Sequence, residues 1–205
     1  LYFDVFRSRA DNSTNSFQDY LYHDIGRSLE LKDDAGQSLP LAPTKLLTSE
    51  NGRLKGYGYF KNERSAEYSG NFSGVFAVEL PDGAKRSMHL WMAGQGGRRI
   101  FSVAAPGDHA IRDELPAFTD SPMPTLIVRQ QGDAWRRPFM AVYEPVLGSG
   151  RAAITSVRAV KIDEADAGLA ACVVDGQMTT LGKTERFSVA LAQDDYPSTE
   201  KHFEG

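Results

Sequence analysis

The chain has 205 residues with a net charge of −4, 41% hydrophobic and 24% charged residues, 19 glycines, 10 prolines and one cysteine. That is enough length to bury a core without disulfide staples, and the apolar fraction argues against disorder. Basic and acidic residues are interspersed, so no electrostatic footprint for nucleic acid is expected, and no apolar run approaches a membrane span.

In chain order, the opening Leu1-Tyr2-Phe3-Asp4-Val5-Phe6-Arg7 reads as a strand with no start methionine or signal peptide ahead of it, which predicts a piece of a longer protein. Period-two alternation then predicts strands at Tyr2–Arg7, Asp19–His23, Ser28–Leu31, Leu54–Phe60, Gly74–Leu80, Ser87–Met92, Arg99–Val103, Thr125–Gln130, Phe139–Val146, Ala152–Lys161, Leu169–Asp175, Met178–Leu181 and Arg186–Leu191. Turn signals separate many of them: Asp34-Ala35-Gly36, Glu50-Asn51-Gly52, Pro81-Asp82-Gly83, Gln131-Gly132-Asp133 and Asp175-Gly176. Helix is expected to be minor, confined to short pieces near Ser65–Tyr68 or Asp113–Leu115. Pro106 to Pro124, with four prolines, reads as a long surface excursion. The pattern predicts an all-β fold, an antiparallel β-sandwich of two or more packed sheets, over residues 1–205 as a single domain.

Two constellations carry candidate binding chemistry. In Ser87-Met88-His89-Leu90-Trp91-Met92, alternation puts Met88, Leu90 and Met92 on one face and His89 beside Trp91 on the other. An imidazole beside an indole suits stacking on a sugar ring, and suits equally well packing against a second sheet. Arg129-Gln130-Gln131-Gly132-Asp133-Ala134-Trp135-Arg136-Arg137-Pro138 reads as a hairpin tip presenting one indole among the arginines Arg129, Arg136 and Arg137. Such a set suits a carboxylated or sulfated saccharide, while the alternative is a solvated turn anchored by its Trp.

The four histidines, His23, His89, His109 and His202, have no metal-ligand spacing, and no metal or cofactor site is expected. Gly94-Gln95-Gly96-Gly97 lacks the residues of a phosphate-binding loop and reads as a hairpin. Cys172, inside an apolar run, reads as an inert core residue, and His23 as a polar strand residue.

Phe3-Asp4-Val5-Phe6-Arg7, Gln18-Asp19-Tyr20-Leu21-Tyr22-His23, Pro124 to Arg129 and Arg137 to Pro145 together resemble the C-terminal β-region of heparinase II/III-like polysaccharide lyases of carbohydrate-degrading bacteria. The resemblance implies a periplasmic or secreted parent in which an N-terminal α/α-toroid precedes β-sandwich layers and cleaves acidic polysaccharide by β-elimination. It also implies that Tyr and His catalysts lie outside this chain, so no catalytic role is carried onto any position here. The expected function is a non-catalytic β-domain that supports the fold or the substrate cleft, with a carbohydrate-binding module using Trp91 or Trp135 as its alternative.

Overall fold

The computed structural model describes residues 1–9, 16–24, 26–50, 55–107, 121–161, 169–180 and 182–194. Thirteen strands are assigned among them: β1 (Tyr2–Phe6), β2 (Phe17–His23), β3 (Ser28–Asp33), β4 (Ala42–Pro43), β5 (Lys61–Glu67), β6 (Phe72–Glu79), β7 (Lys85–Met92), β8 (Arg98–Ala105), β9 (Met123–Gln131), β10 (Phe139–Leu147), β11 (Ile154–Ala159), β12 (Leu169–Thr180) and β13 (Lys183–Asp194). They form three antiparallel sheets. Sheet A has the order β1-β10-β7-β6-β3, sheet B the order β2-β9-β8-β5-β4, and sheet C the order β11-β12-β13.

The layers follow from which residues alternate. Phe72, Phe76, Leu90, Met92, Phe139 and Tyr143 on one face of sheet A pack against Tyr20, Ile100, Leu126 and Val128 of sheet B. The opposite face of sheet A, with Trp91, Met140 and Val142, packs against Ile154, Val157, Ala170, Cys172 and Val174 of sheet C. Sheet A is thus the middle layer, and its central strands are apolar on both faces because both are covered. The free face of sheet B carries a smaller cluster of Leu47, Phe101, Val103 and Ile127, covered by Tyr57 and Phe60. Cys172 lies in the A/C core at 0% exposure, and burial pushes its thiol up to about 11.

Several sequence expectations need correcting. The segment predicted as a strand at Leu54–Phe60 is a 3-10 turn over Lys55–Tyr59, with Leu54 outside the described residues. Tyr57 and Phe60, three residues apart, share one side of that turn with ring centroids 5.3 Å apart and plug the outer face of sheet B. Their apparent alternation came from Gly56 and Gly58, not from a pleat. The helix expected at Ser65–Tyr68 is largely strand β5, whose charged sequence favours helix but whose backbone is claimed by β8. Leu169–Asp175 and Met178–Leu181 are not two strands but one, β12, running through the expected turn at Asp175-Gly176 as far as Thr180, with Leu181 outside the described residues.

Gly176 is there for space: a Cβ on it would lie 2.2 Å from Phe187 Cζ and 2.7 Å from the Ala153 carbonyl. The expected turns at 34–36 and 81–83 do form, with Gly36 at φ 75° and Gly83 at φ 80°. The pieces at Asn51-Gly52 and Asp113–Leu115, most of the excursion at 106–124, and His109 and His202 lie outside the described residues.

The segments 93–97 and 131–138 are not hairpins. Each joins a strand of one sheet to a strand of the other, β7 of sheet A to β8 of sheet B and β9 of sheet B to β10 of sheet A. The two crossings lie side by side at one end of the A/B sandwich and position the site.

Candidate functional site: an arginine-lined cleft on sheet B

The two crossings are tied by a pair of buried polar residues. Arg98, 4% exposed, donates from Nε to Gln130 Oε1 at 3.0 Å, from Nη1 to the Ala93 carbonyl at 3.2 Å, and from Nη2 to the Pro138 and Arg137 carbonyls at 2.8 and 3.4 Å. Gln130, fully buried, donates back to the Asp133 and Arg137 carbonyls at 2.8 and 3.1 Å. Crossing loops present carbonyls that no ladder satisfies, and these two side chains satisfy them. Burial, and secondarily the Arg137 guanidinium, push the Arg98 pKa down to about 9, so it is charged at neutral pH.

The next residue along β8 faces the other way. Arg98 shares its face with Ile100 and the A/B core, so Arg99 shares its face with Phe101 on the outside of sheet B. Register then builds a row across four strands: Glu67 opposite Arg99, Arg99 opposite Arg129, and Arg129 opposite Asp19.

The two ion pairs in this row differ. Arg129 grips Asp19 with both arms, Nε to Oδ1 at 2.8 Å and Nη2 to Oδ2 at 2.7 Å, with the side chains only 13% and 8% exposed. Its guanidinium lies 3.5 Å over the Phe17 ring, and Tyr57 donates to Asp19 Oδ2 at 2.6 Å. Burial, then the Asp19 carboxylate, hold the Tyr57 hydroxyl well above the usual phenol range. The Arg99–Glu67 pair is instead open to solvent, at 33% and 77% exposure.

Beside this row is a cleft of about 330 Å³ lined by Glu67, Ser69, Gly97, Arg98, Arg99, Arg129 and Gln131. Arg137 borders it, donating to the Gly96 carbonyl and to the Gln131 carbonyl, each at 3.1 Å. A chain that is acidic as a whole therefore gathers three arginines, Arg99, Arg129 and Arg137, with the carboxylates of Asp19 and Glu67 at one cleft. Such a cleft suits a ligand bearing sulfate or carboxylate groups.

The sequence-predicted residues separate accordingly. Arg129 lines the cleft and Arg137 borders it, while Arg136 is exposed on the same crossing, its backbone N–H donating to Asp133 Oδ2 at 3.4 Å. Trp135 is half-buried, with the guanidinium carbons of Arg7 and Arg9 at 5.6 and 4.2 Å from its ring centre, so a sugar stacking there competes with Arg9.

His89 and Trp91 lie elsewhere, on the sheet A face that sheet C covers. Trp91 is 8% exposed and stacks on His89 at 5.6 Å. His89 Nε2 sits 3.1 Å from Ser87 Oγ, and burial lowers its pKa, partly offset by Glu144 opposite it. In this placement the indole packs against sheet C. His23 is exposed at the end of β2, four residues from Asp19 and so about 13 Å along the strand.

Arg98, Arg99, Gln130, Asp19 and Glu67 were not singled out from the sequence. The signal that marks them is parity: Arg98 and Gln130 each lie two residues from a core aliphatic, Ile100 and Val128, and so had to point inward.

The layered β-architecture and this cleft accompany a similarity to part of a polysaccharide lyase. The relative is an endo-acting ulvan lyase from Formosa agariphila, 35% identical over 148 residues, which cover 70% of this chain and 17% of the relative. No protein-family profile matches the chain. No solved structure matches it either.

Proposed function

We propose that this chain is a non-catalytic β-domain of a polysaccharide lyase that cleaves acidic polysaccharide by β-elimination, and that its arginine cleft holds the polymer while another domain supplies the chemistry. One observation carries the reading: a region similar to part of an endo-acting ulvan lyase sets Arg99, Arg129 and Arg137 around one open cleft, with the buried Arg98 fastening its end.

β-Elimination needs a base held beside a group that neutralises a uronate carboxylate. Three of the described groups suited to proton transfer are engaged away from the cleft, and His23, exposed at the end of β2, stands about 13 Å along the strand from Asp19. Tyr57 donates to Asp19, Tyr20 shares its hydroxyl with Tyr143 and with Asp4, and His89 lies under sheet C. Arginines, by contrast, bind oxyanions without giving up a proton. In the heparinase II/III-like arrangement, the catalytic partner would be an α/α-toroid in a secreted or periplasmic parent.

The test pairs two assays on the purified chain with sulfated and unsulfated uronate polysaccharides. Affinity electrophoresis is expected to show retardation, while absorbance of the unsaturated uronate product stays flat. A steady absorbance rise abolished by a mutation in this chain would overturn the reading.

A further inference from the structure

The contrast between the two ion pairs on sheet B goes further than general affinity for acidic polymer, and rests on the cleft reading just given. Asp19 is a fixed partner. It is enclosed by Arg129, Phe17 and Tyr57 and accepts three hydrogen bonds from two of them. Removing it would leave a buried guanidinium beside apolar rings, so this pair belongs to the architecture.

Glu67 is built differently. It is the last residue of β5, its side chain is 77% exposed, and the one partner described for its carboxylate is Arg99 Nη2. Arg99 in turn lines the cleft together with Gly97 and Arg129, and its guanidinium turns to Glu67 on β5, away from Arg129 on β9. A solvent-exposed pair of this kind is weak and exchangeable.

We infer that Glu67 is an internal stand-in for the ligand's oxyanion: in the free protein its carboxylate occupies the Arg99 fork, and a sulfate or carboxylate of the bound saccharide takes its place. Glu67 thereby sets the threshold for binding. A neutral sugar brings nothing to exchange, whereas an anionic group replaces the Glu67 carboxylate by an oxyanion of its own while Glu67 swings into water. Arg129, held by Asp19, keeps the floor of the cleft rigid during the exchange, and Arg137, whose described partners are carbonyls, lends the cleft positive potential.

The test uses the whole chain and measures affinity by calorimetry for dextran sulfate, which carries only sulfates, and alginate, which carries only carboxylates, with dextran as the neutral control. Glu67→Gln removes the competing charge at a surface position and is expected to tighten binding by up to about fivefold, the range of an exposed ion pair. Arg99→Gln is expected to weaken it by about tenfold or more, as for loss of a hydrogen bond to a charged group. A gain confined to dextran sulfate identifies the anion as sulfate, and one confined to alginate identifies it as carboxylate.

If the wild type binds and Glu67→Gln leaves the affinity unchanged or lowers it, the stand-in role is overturned while the cleft reading survives. If no variant binds either polyanion, both fall. Circular dichroism matching the wild type confirms that neither variant has lost its fold.

Discussion

Replacing Arg98 by Met keeps much of the side chain's length but deletes the guanidinium that joins the two crossings. Four hydrogen bonds disappear, and the carbonyls of Ala93 and Pro138 and the Gln130 side-chain oxygen stay buried without that donor. At about 1–1.5 kcal/mol for each of the three well-made bonds the loss is about 3–4.5 kcal/mol, and relief from burying an unpaired charge reduces it to about 2–4 kcal/mol. In urea, with a slope of about 2–3 kcal/mol/M for a chain of this size, the midpoint is expected to fall by about 0.7–2 M with the slope unchanged. Tryptophan fluorescence reports it, because Trp135 lies on one crossing and Trp91 in the core beneath sheet C. A midpoint shift under about 0.3 M would refute the argument that Arg98 fastens the crossings.

Gly176→Ala should lower stability by about 1–3 kcal/mol, since its Cβ would meet the Phe187 ring and the Ala153 carbonyl, and Gly176→Ala combined with Phe187→Ala should recover part of that loss if the ring is the main obstacle; thermal melts of both variants decide it. The tyrosines give an alkaline signature. Burial, chiefly, raises Tyr143 to about 12 and holds Tyr20, Tyr22 and Tyr57 above the ordinary phenol value of 10.0. A raised folded pKa means that the folded state keeps protons which the unfolded chain has released, so stability is full below pH 10 and falls as pH rises from about 10 to 12. Arg98, lowered to about 9, acts with the opposite sign but is one group against four. Urea midpoints measured across that window should decline, and Tyr143→Phe should flatten the slope; a midpoint that rises with pH would contradict the assignment.

How much of this was legible depended on whether one rule or two acted on a residue. Ser87–Met92 could be read correctly, faces included, because its alternation answers to two cores that both exclude water. Strand β5 could not, because Lys61, Glu63, Arg64 and Glu67 carry no apolar pattern and the strand exists by pairing with β8. Its Glu63 is 7% exposed and accepts from the backbone of Leu47 and Thr48, a role visible only once those segments meet. The hairpin expectation fails at the crossings for a related reason: Gly132 and Asp133 make the same local turn whether the next strand pairs in the same sheet or changes layer. The cluster of Arg129, Arg136 and Arg137 was visible as sequence neighbours, but the row Glu67–Arg99–Arg129–Asp19 assembles residues from four strands and is set by register, which no local pattern displays.

The proposed contact of the sheet B cleft with acidic polysaccharide is tested by backbone and arginine side-chain NMR shifts recorded during titration with a short sulfated uronate oligosaccharide. Perturbations are expected to concentrate on Ser69, Gly97, Arg99, Arg129, Gln131 and Arg137, with Trp91 and His89 unmoved beneath sheet C. Perturbations centred on sheet C or on the Trp91 face, with the arginine row unchanged, would rule the cleft out as the polysaccharide-binding face.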